Sequence, residues 1–336
     1  MAVKARAKAK TKTALKVGTA VARRGRRTKG RLVLGAYPDS DISSPVIIAS
    51  GSRAGPVLWV QCCVHGPEVG GPVALLRFLD KLDLKTITGT IVAVMTANPT
   101  SFRGYSRNTP IDGENLNRVF PGDPAGPHSR QTANILFRNA KRCADAVLDL
   151  HSGGDRSFVP FYALYWNDGS ATAQRAGQLA RAAGTPDIWA STDSWLAGTM
   201  FTNLTQQGLP ALIVECGGGA QVPEAHLENY LSALNGVARA MGILPGRPRK
   251  QKKYRLMDDA PLVYSQVGGL FEPAVEPGEV VALNQELGRI HDLFGDLVEI
   301  VRSPRGPAYV ASIRRRYMPV YSGDQIAEVI RILEDR

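Results

Sequence analysis

Four short clusters of polar residues carry the chemistry available to this chain. His65-Gly-Pro-Glu68 follows directly on the apolar run Val57–Val64, so both side chains can face one centre where a strand gives way to a helix. A histidine and a glutamate three residues apart are half of a catalytic zinc site. His151 closes another apolar run, Asp145–Leu150, and completes a His–Glu–His set that leaves a fourth position for water. A metal so bound lowers the pKa of its water to about 7 and makes a nucleophile at neutral pH. Glu215, at the end of Ala211-Leu-Ile-Val214, is placed to be the base that takes the water's proton, since a charge there is costly without a partner or a task. The fourth cluster runs from Arg107 to Gly122. In it Asn117 and Arg118 are suited to grip a substrate carboxylate, and Arg107, with Arg103 as the weaker substitute, to steady an oxyanion.

The elements that must hold these residues follow an alternating pattern. Strands are expected at 31–35, 45–49, 57–64, 90–95, 145–150, 161–165 and 210–214, and helices at 70–81, 129–142, 171–183 and 223–241. Fully apolar strands separated by helices predict an α/β fold with a mostly parallel or mixed sheet flanked by helices. In such sheets the ligand crevice lies at the carboxyl ends of the strands. His65, Asn98, His151 and Glu215 all fall at predicted strand ends. The basic segment 246–254 reads as a linker, and Gly-containing turns between short strands predict a small β domain over 255–336, leaving 31–245 as the hydrolase domain. His226 and His291 are expected to be ordinary helix and β-domain residues.

The charge of +11 is concentrated at one end. Residues 1–31 carry 12 basic side chains and no acidic one, and the rest of the chain nets −1. Residues 1–30 therefore read as a solvated, disordered basic tail, with nucleic acid as the partner class if that tail binds anything. A hydrophobic fraction of 44% suits a globular protein, and no apolar run is long enough to span a bilayer. Four cysteines without a C-x-x-C pair, and no signal-like h-region, predict a reduced, cytoplasmic protein. A homo-oligomer is compatible with the sequence.

Taken in order, His65-Gly-Pro-Glu68, Asn98-Pro99, Asn115-Leu-Asn-Arg-Val-Phe-Pro-Gly122, Asp149-Leu-His151 and Glu215-Cys-Gly-Gly resemble the motifs of the succinylglutamate desuccinylase/aspartoacylase family, within the zinc carboxypeptidase-like superfamily. The resemblance covers roughly residues 45–320. It implies a zinc carboxypeptidase-like fold with a small C-terminal β-sandwich. It also implies one zinc ion per chain on His65, Glu68 and His151, Glu215 as general base, and Asn117, Arg118 and Arg107 on the substrate. The implied reaction is removal of an acyl group from an N-acyl amino acid; the alternatives are a metallocarboxypeptidase-like peptidase and a nucleic-acid-binding protein acting through its tail. Asn115 departs from the pattern, since members of the family often carry an aspartate there. The stretch 107–113 resembles members that deacylate N-acyl amino acids or N-acetyl-diaminobutyrate. The C-terminal hairpin 303–307 resembles a biotinyl/lipoyl-type hairpin but has no lysine, so a wall over the site is expected rather than a carrier.

Overall fold

The computed structural model describes residues 15–335. The chain opens with a hairpin, β1 (Lys16–Val17) and β2 (Ala20–Val21), followed by β3 (Arg27–Ala36), β4 (Asp41–Ser50) and β5 (Arg53–Cys62). Next come α1 (Gly70–Asp80), β6 (Thr88–Val94), α2 (Pro99–Gly104), α3 (His128–Cys143) and β7 (Ala146–His151). The chain continues through β8 (Ser157–Trp166), α4 (Ala171–Ala182), β9 (Asp187–Ser191), α5 (Met200–Gln206), β10 (Ala211–Gly218) and α6 (Glu224–Ala240). Nine further strands follow: β11 (Arg255–Met257), β12 (Leu262–Tyr264), β13 (Gly269–Pro273), β14 (Val280–Val281), β15 (Glu286–His291), β16 (Leu297–Arg302), β17 (Ala308–Arg314), β18 (Met318–Val320) and β19 (Gln325–Asp335).

The centre of the large sheet runs β8-β10-β7-β5-β6, with β5, β6, β7 and β10 parallel and β8 reversed against β10. The sheet is therefore mixed, flanked by helices on both faces. The apolar faces of those helices explain why they dock: α3 buries Thr132, Ala133, Leu136, Phe137 and Ala140, the spacing of one helical stripe. Two cores result, one on each side of the sheet, anchored by Trp59 and Trp189 on one side and by Leu58 and Phe78 on the other. Among the described residues no helix is long and apolar enough to cross a membrane.

Two boundaries differ from the sequence expectation. The basic tail expected over 1–30 gives way to strands from Lys16 onward; residues 1–14 lie outside the described residues. Val17 and Ala20 are fully buried, and β3 is the edge strand of the large sheet, pairing with β4 along its length. The charges of Arg27, Lys29 and Arg31 stand on that edge, where cationic side chains discourage pairing with a foreign strand. Arg27 also reaches Asp80 at 2.7 Å.

The second difference is at the C-terminal side. The strands of the C-terminal region share the large sheet as well as having a core of their own: β11 adds in parallel to β9, β19 pairs with β11 and β17, and β17 reaches β8. The large sheet thus runs through into the C-terminal strands. A separate four-stranded sheet, β16-β15-β13-β18, packs over this extension around a third core that includes Phe271, Leu287, Ile290, Ala327 and Val329. Phe271 is completely buried, so Phe271→Ala should cost about 3–5 kcal/mol in urea unfolding. A loss below about 1 kcal/mol would mean that this layer contributes little to stability.

Candidate active site

The pocket opens at the carboxyl ends of β5, β7 and β10. The chain leaves β5 through Cys63, which holds a positive φ of 52°, a costly conformation for a residue with a side chain, and turns at once into His65. Gly66 follows because a Cβ there would come within 2.0 Å of the Ser101 carbonyl oxygen. Glu68 then sits just ahead of α1, at the helix end that favours negative charge. His151 ends β7, and Glu215 pairs in register with it on β10. Immediately afterwards β10 bulges, and Gly217 (φ +79°) and Gly218 (φ +134°) take conformations and clearances no other residue fits: a Cβ on Gly218 would meet the Ser157 carbonyl at 2.2 Å. The hydroxyl of Tyr230, from α6, lies 2.6 Å from the His151 carbonyl and 2.7 Å from that of Cys216, tying the two strand ends together.

His65, Glu68 and His151 present their donor atoms within 4.8 Å of one another, all three buried. Both imidazoles aim Nδ1 at the one carboxylate: His65 Nδ1 is 2.8 Å from Glu68 Oε1, and His151 Nδ1 is 3.1 Å from Oε2. The outer nitrogens are also engaged. His65 Nε2 donates to Asn115 Oδ1 at 3.0 Å, and His151 Nε2 lies 3.2 Å from Asp149 Oδ2. Asp149 in turn accepts from Gln61 Nε2 at 2.8 Å, and Gln61 Oε1 accepts from the Trp59 indole at 3.1 Å. Outer nitrogens fixed this way leave the Nδ1 atoms as ligands, the arrangement usual for metal-bound histidines. Of the inward-facing donor atoms, Glu68 Oε2 is buried without a well-formed hydrogen bond, which leaves it able to ligate a cation. The nitrogen and oxygen donors suit zinc.

The electrostatics fit the same picture. Burial alone raises the Glu68 carboxyl, but the flanking imidazoles of His65 and His151 bring it down to about 2. Burial and the nearby Arg107 lower His65 to about 4. Burial also works against a charge on His151, yet Asp149 and Glu68 together carry it well above its ordinary value. Glu215 goes the other way: burial pushes it up to about 8, with Glu68 and Glu328 adding to the effect and His151 and Arg107 opposing it. Its Oε2 is buried and unbonded.

All seven residues singled out in the sequence line one pocket of about 330 Å³: His65, Glu68, Arg107, Asn117, Arg118, His151 and Glu215. Arg103 is exposed and lies outside it. Asn98 is not a site residue either. Its Oδ1 accepts from Ser101 N and Thr100 Oγ1, capping α2, and its Nδ2 donates to Thr109 Oγ1, which pins the loop that carries Arg107 and Asn117. Arg118 stacks over Trp195 at 5.2 Å and donates to the Asn117 carbonyl at 2.8 Å. Arg107 has no carboxylate within ion-pair distance among the described residues. Sequence reasoning did not single out Tyr162, Trp195, Arg314, Asp324, Gln325 and Glu328, which also line the pocket; the last four come from the C-terminal region, so that region is a wall of the site.

Strand ends of a mixed α/β sheet converge a buried His–Glu–His set that could hold a metal ion beside an isolated carboxylate, an arrangement suited to hydrolysis. The chain belongs to the succinylglutamate desuccinylase/aspartoacylase family of deacylases, whose catalytic-domain model matches residues 54–241. It is 30% identical over 275 residues to the N-alpha-acetyl-L-2,4-diaminobutyric acid deacetylase of Halomonas elongata, an alignment covering 80% of each chain. It is similar to the product-bound structure of the ectoine utilization protein EutE (DoeB) from Ruegeria pomeroyi, with 27% identity and a TM-score of 0.83 over 95% of this chain and 97% of that one. The fold is also that of a succinylglutamate desuccinylase/aspartoacylase from Rhodobacter sphaeroides, with 24% identity and a TM-score of 0.80 over 92% and 95% of the chains.

Proposed function

We propose that this protein is a zinc-dependent amidohydrolase that removes the acyl group from an N-acyl amino acid. The observation that carries the reading is the convergence of the donor set, Glu215, Arg107 and the Asn117–Arg118 pair on one small pocket. His65, Glu68 and His151 would hold zinc, which when bound supplies Lewis acidity to a water and to the amide carbonyl. Arg118 and Asn117 grip the substrate carboxylate and fix the amide in the pocket. Glu215 accepts the proton of the attacking water and delivers it to the departing amine nitrogen. Arg107, without a carboxylate partner, balances the charge that grows on the carbonyl oxygen. The products are a carboxylic acid and a free amino acid.

The pocket's size favours this over peptide cleavage: about 330 Å³ is at the low end for small-molecule sites. The Halomonas elongata relative, by its name, acts on N-alpha-acetyl-L-2,4-diaminobutyrate, so N-acetylated diamino acids are the first candidates here. The four cysteines, all free, are consistent with a cytoplasmic setting. The test combines elemental analysis with a panel of N-acetyl, N-succinyl and N-formyl amino acids alongside C-terminal peptide substrates. We expect zinc near one ion per chain and a kcat/KM of at least about 10⁴ M⁻¹s⁻¹ on one N-acyl amino acid. Release of C-terminal residues from peptides, with every N-acyl amino acid left intact, would reject the assignment.

A further inference from the structure

The charges lining the pocket do not cancel once the roles above are assigned. Arg314 is paired with Asp324 at 3.1 Å, with Asp155 as its second carboxylate neighbour. Glu68 belongs to the metal set, Glu215 to the water, Arg107 to the carbonyl oxygen and Arg118 to the substrate carboxylate. Arg156 stands exposed at the rim. Glu328 is left over.

Glu328 projects from β19, between Ala327 and Val329, both fully buried in the third core, so its backbone is firmly held. The only side-chain hydrogen bond its carboxylate makes among the described residues is from Gln325 Nε2 to Oε1, at 2.7 Å. No arginine, lysine or histidine lies within ion-pair distance of it among the described residues; Arg107 and Arg118 act on it from further away. Burial raises its carboxyl and those two arginines pull it back. Tyr162, which pairs across the strands with Glu215, is close enough to feel both carboxylates. A carboxylate without a close cation, beside aromatic side chains and inside a substrate pocket, is a receptor for an ammonium group.

We infer that Glu328, oriented by Gln325, binds a side-chain ammonium of the substrate, so that the preferred N-acyl amino acids are those of diamino acids and not of dicarboxylic ones. The inference rests on the amidohydrolase reading and names the substrate class within it. A dicarboxylic substrate would place its second carboxylate against Glu328, an unpaired like-charge contact that works as rejection.

The experiment compares Nα-acetyl-L-2,4-diaminobutyrate with N-acetyl-L-norvaline, in which a methyl group replaces the ammonium, on zinc-loaded wild type, Glu328→Gln and Glu328→Asp. We expect wild type to favour the diamino substrate by at least about tenfold in kcat/KM, and Glu328→Gln to cut that ratio by about tenfold or more, with Glu328→Asp in between. A charge-assisted hydrogen bond of about 1.5–3 kcal/mol corresponds to such a factor. A wild type indifferent to the ammonium, or a ratio unchanged in Glu328→Gln, overturns the inference. Calorimetry with free L-2,4-diaminobutyrate and L-norvaline reads the same preference without turnover. If no N-acyl amino acid is cleaved, the amidohydrolase reading fails, while the isotherms still decide whether Glu328 receives the ammonium.

Discussion

Glu215→Ala should reduce kcat by about 10²–10⁴-fold while substrate still binds, because the carboxylate that accepts and returns the proton is gone and everything that grips the substrate remains. The side chain invites this reading from two directions. It ends a buried strand in register with His151, and its Oε2 has no partner among the described residues despite being buried. Holding an unbonded carboxylate there works against folding, so its removal does not threaten the protein: Glu215→Ala should melt within a few degrees of wild type. Wild-type kcat/KM should fall as pH drops, since protonation removes the acceptor, and the residual rate of the variant should lose that dependence. Binding of the substrate, followed by calorimetry on the variant, should stay within a few-fold of wild-type KM. Full turnover by Glu215→Ala on the best substrate would move the base elsewhere.

His65→Ala should abolish metal retention. Loss of a partner behind a ligand costs about 10–100-fold in metal affinity, and losing the ligand itself costs more. After dialysis against a competing chelator, wild type should keep zinc near one ion per chain and His65→Ala essentially none. Asn115→Ala, which removes the acceptor for His65 Nε2, should fall between them. The melting temperature gives an independent readout: added zinc should raise it for wild type, because a ligand that binds only the folded state stabilises it, and should leave His65→Ala unmoved. Equal zinc in wild type and His65→Ala would displace the metal from this pocket.

Local periodicity made the central elements legible before any coordinates. The apolar runs that became β5, β7 and β10 and the helical stripes of α1, α3, α4 and α6 depend on their own residues, and the metal-set and Glu215 positions follow from where those runs stop. What was hidden depends on partners distant in the chain. The hairpin β1–β2 has a turn signal in Gly18 (φ +57°), but twelve basic residues in 31 drew attention to a tail. β9 and α5 are short, and their places are set by β8 and β11 and by packing on β10. Glu328 has no local signal at all: nothing about a glutamate in an alternating strand says that the strand will border a pocket built by residues 65–215. Asn98 shows the converse, a strand-end polar residue that serves only to cap a helix and anchor a loop.

The route of the large sheet into β19 has a consequence for the order in which the protein is made. The chain leaves the ribosome from its N-terminal end. Residues 65 to 215 supply the donor set, the two substrate-facing arginines and Glu215, all of which emerge well before β19. Until Gln325 and Glu328 arrive, that side of the pocket has no wall. A nascent chain therefore carries all three residues of the donor set early and still lacks the surface by which we infer it chooses a substrate. Competence to bind the ion and competence to discriminate should appear at different chain lengths.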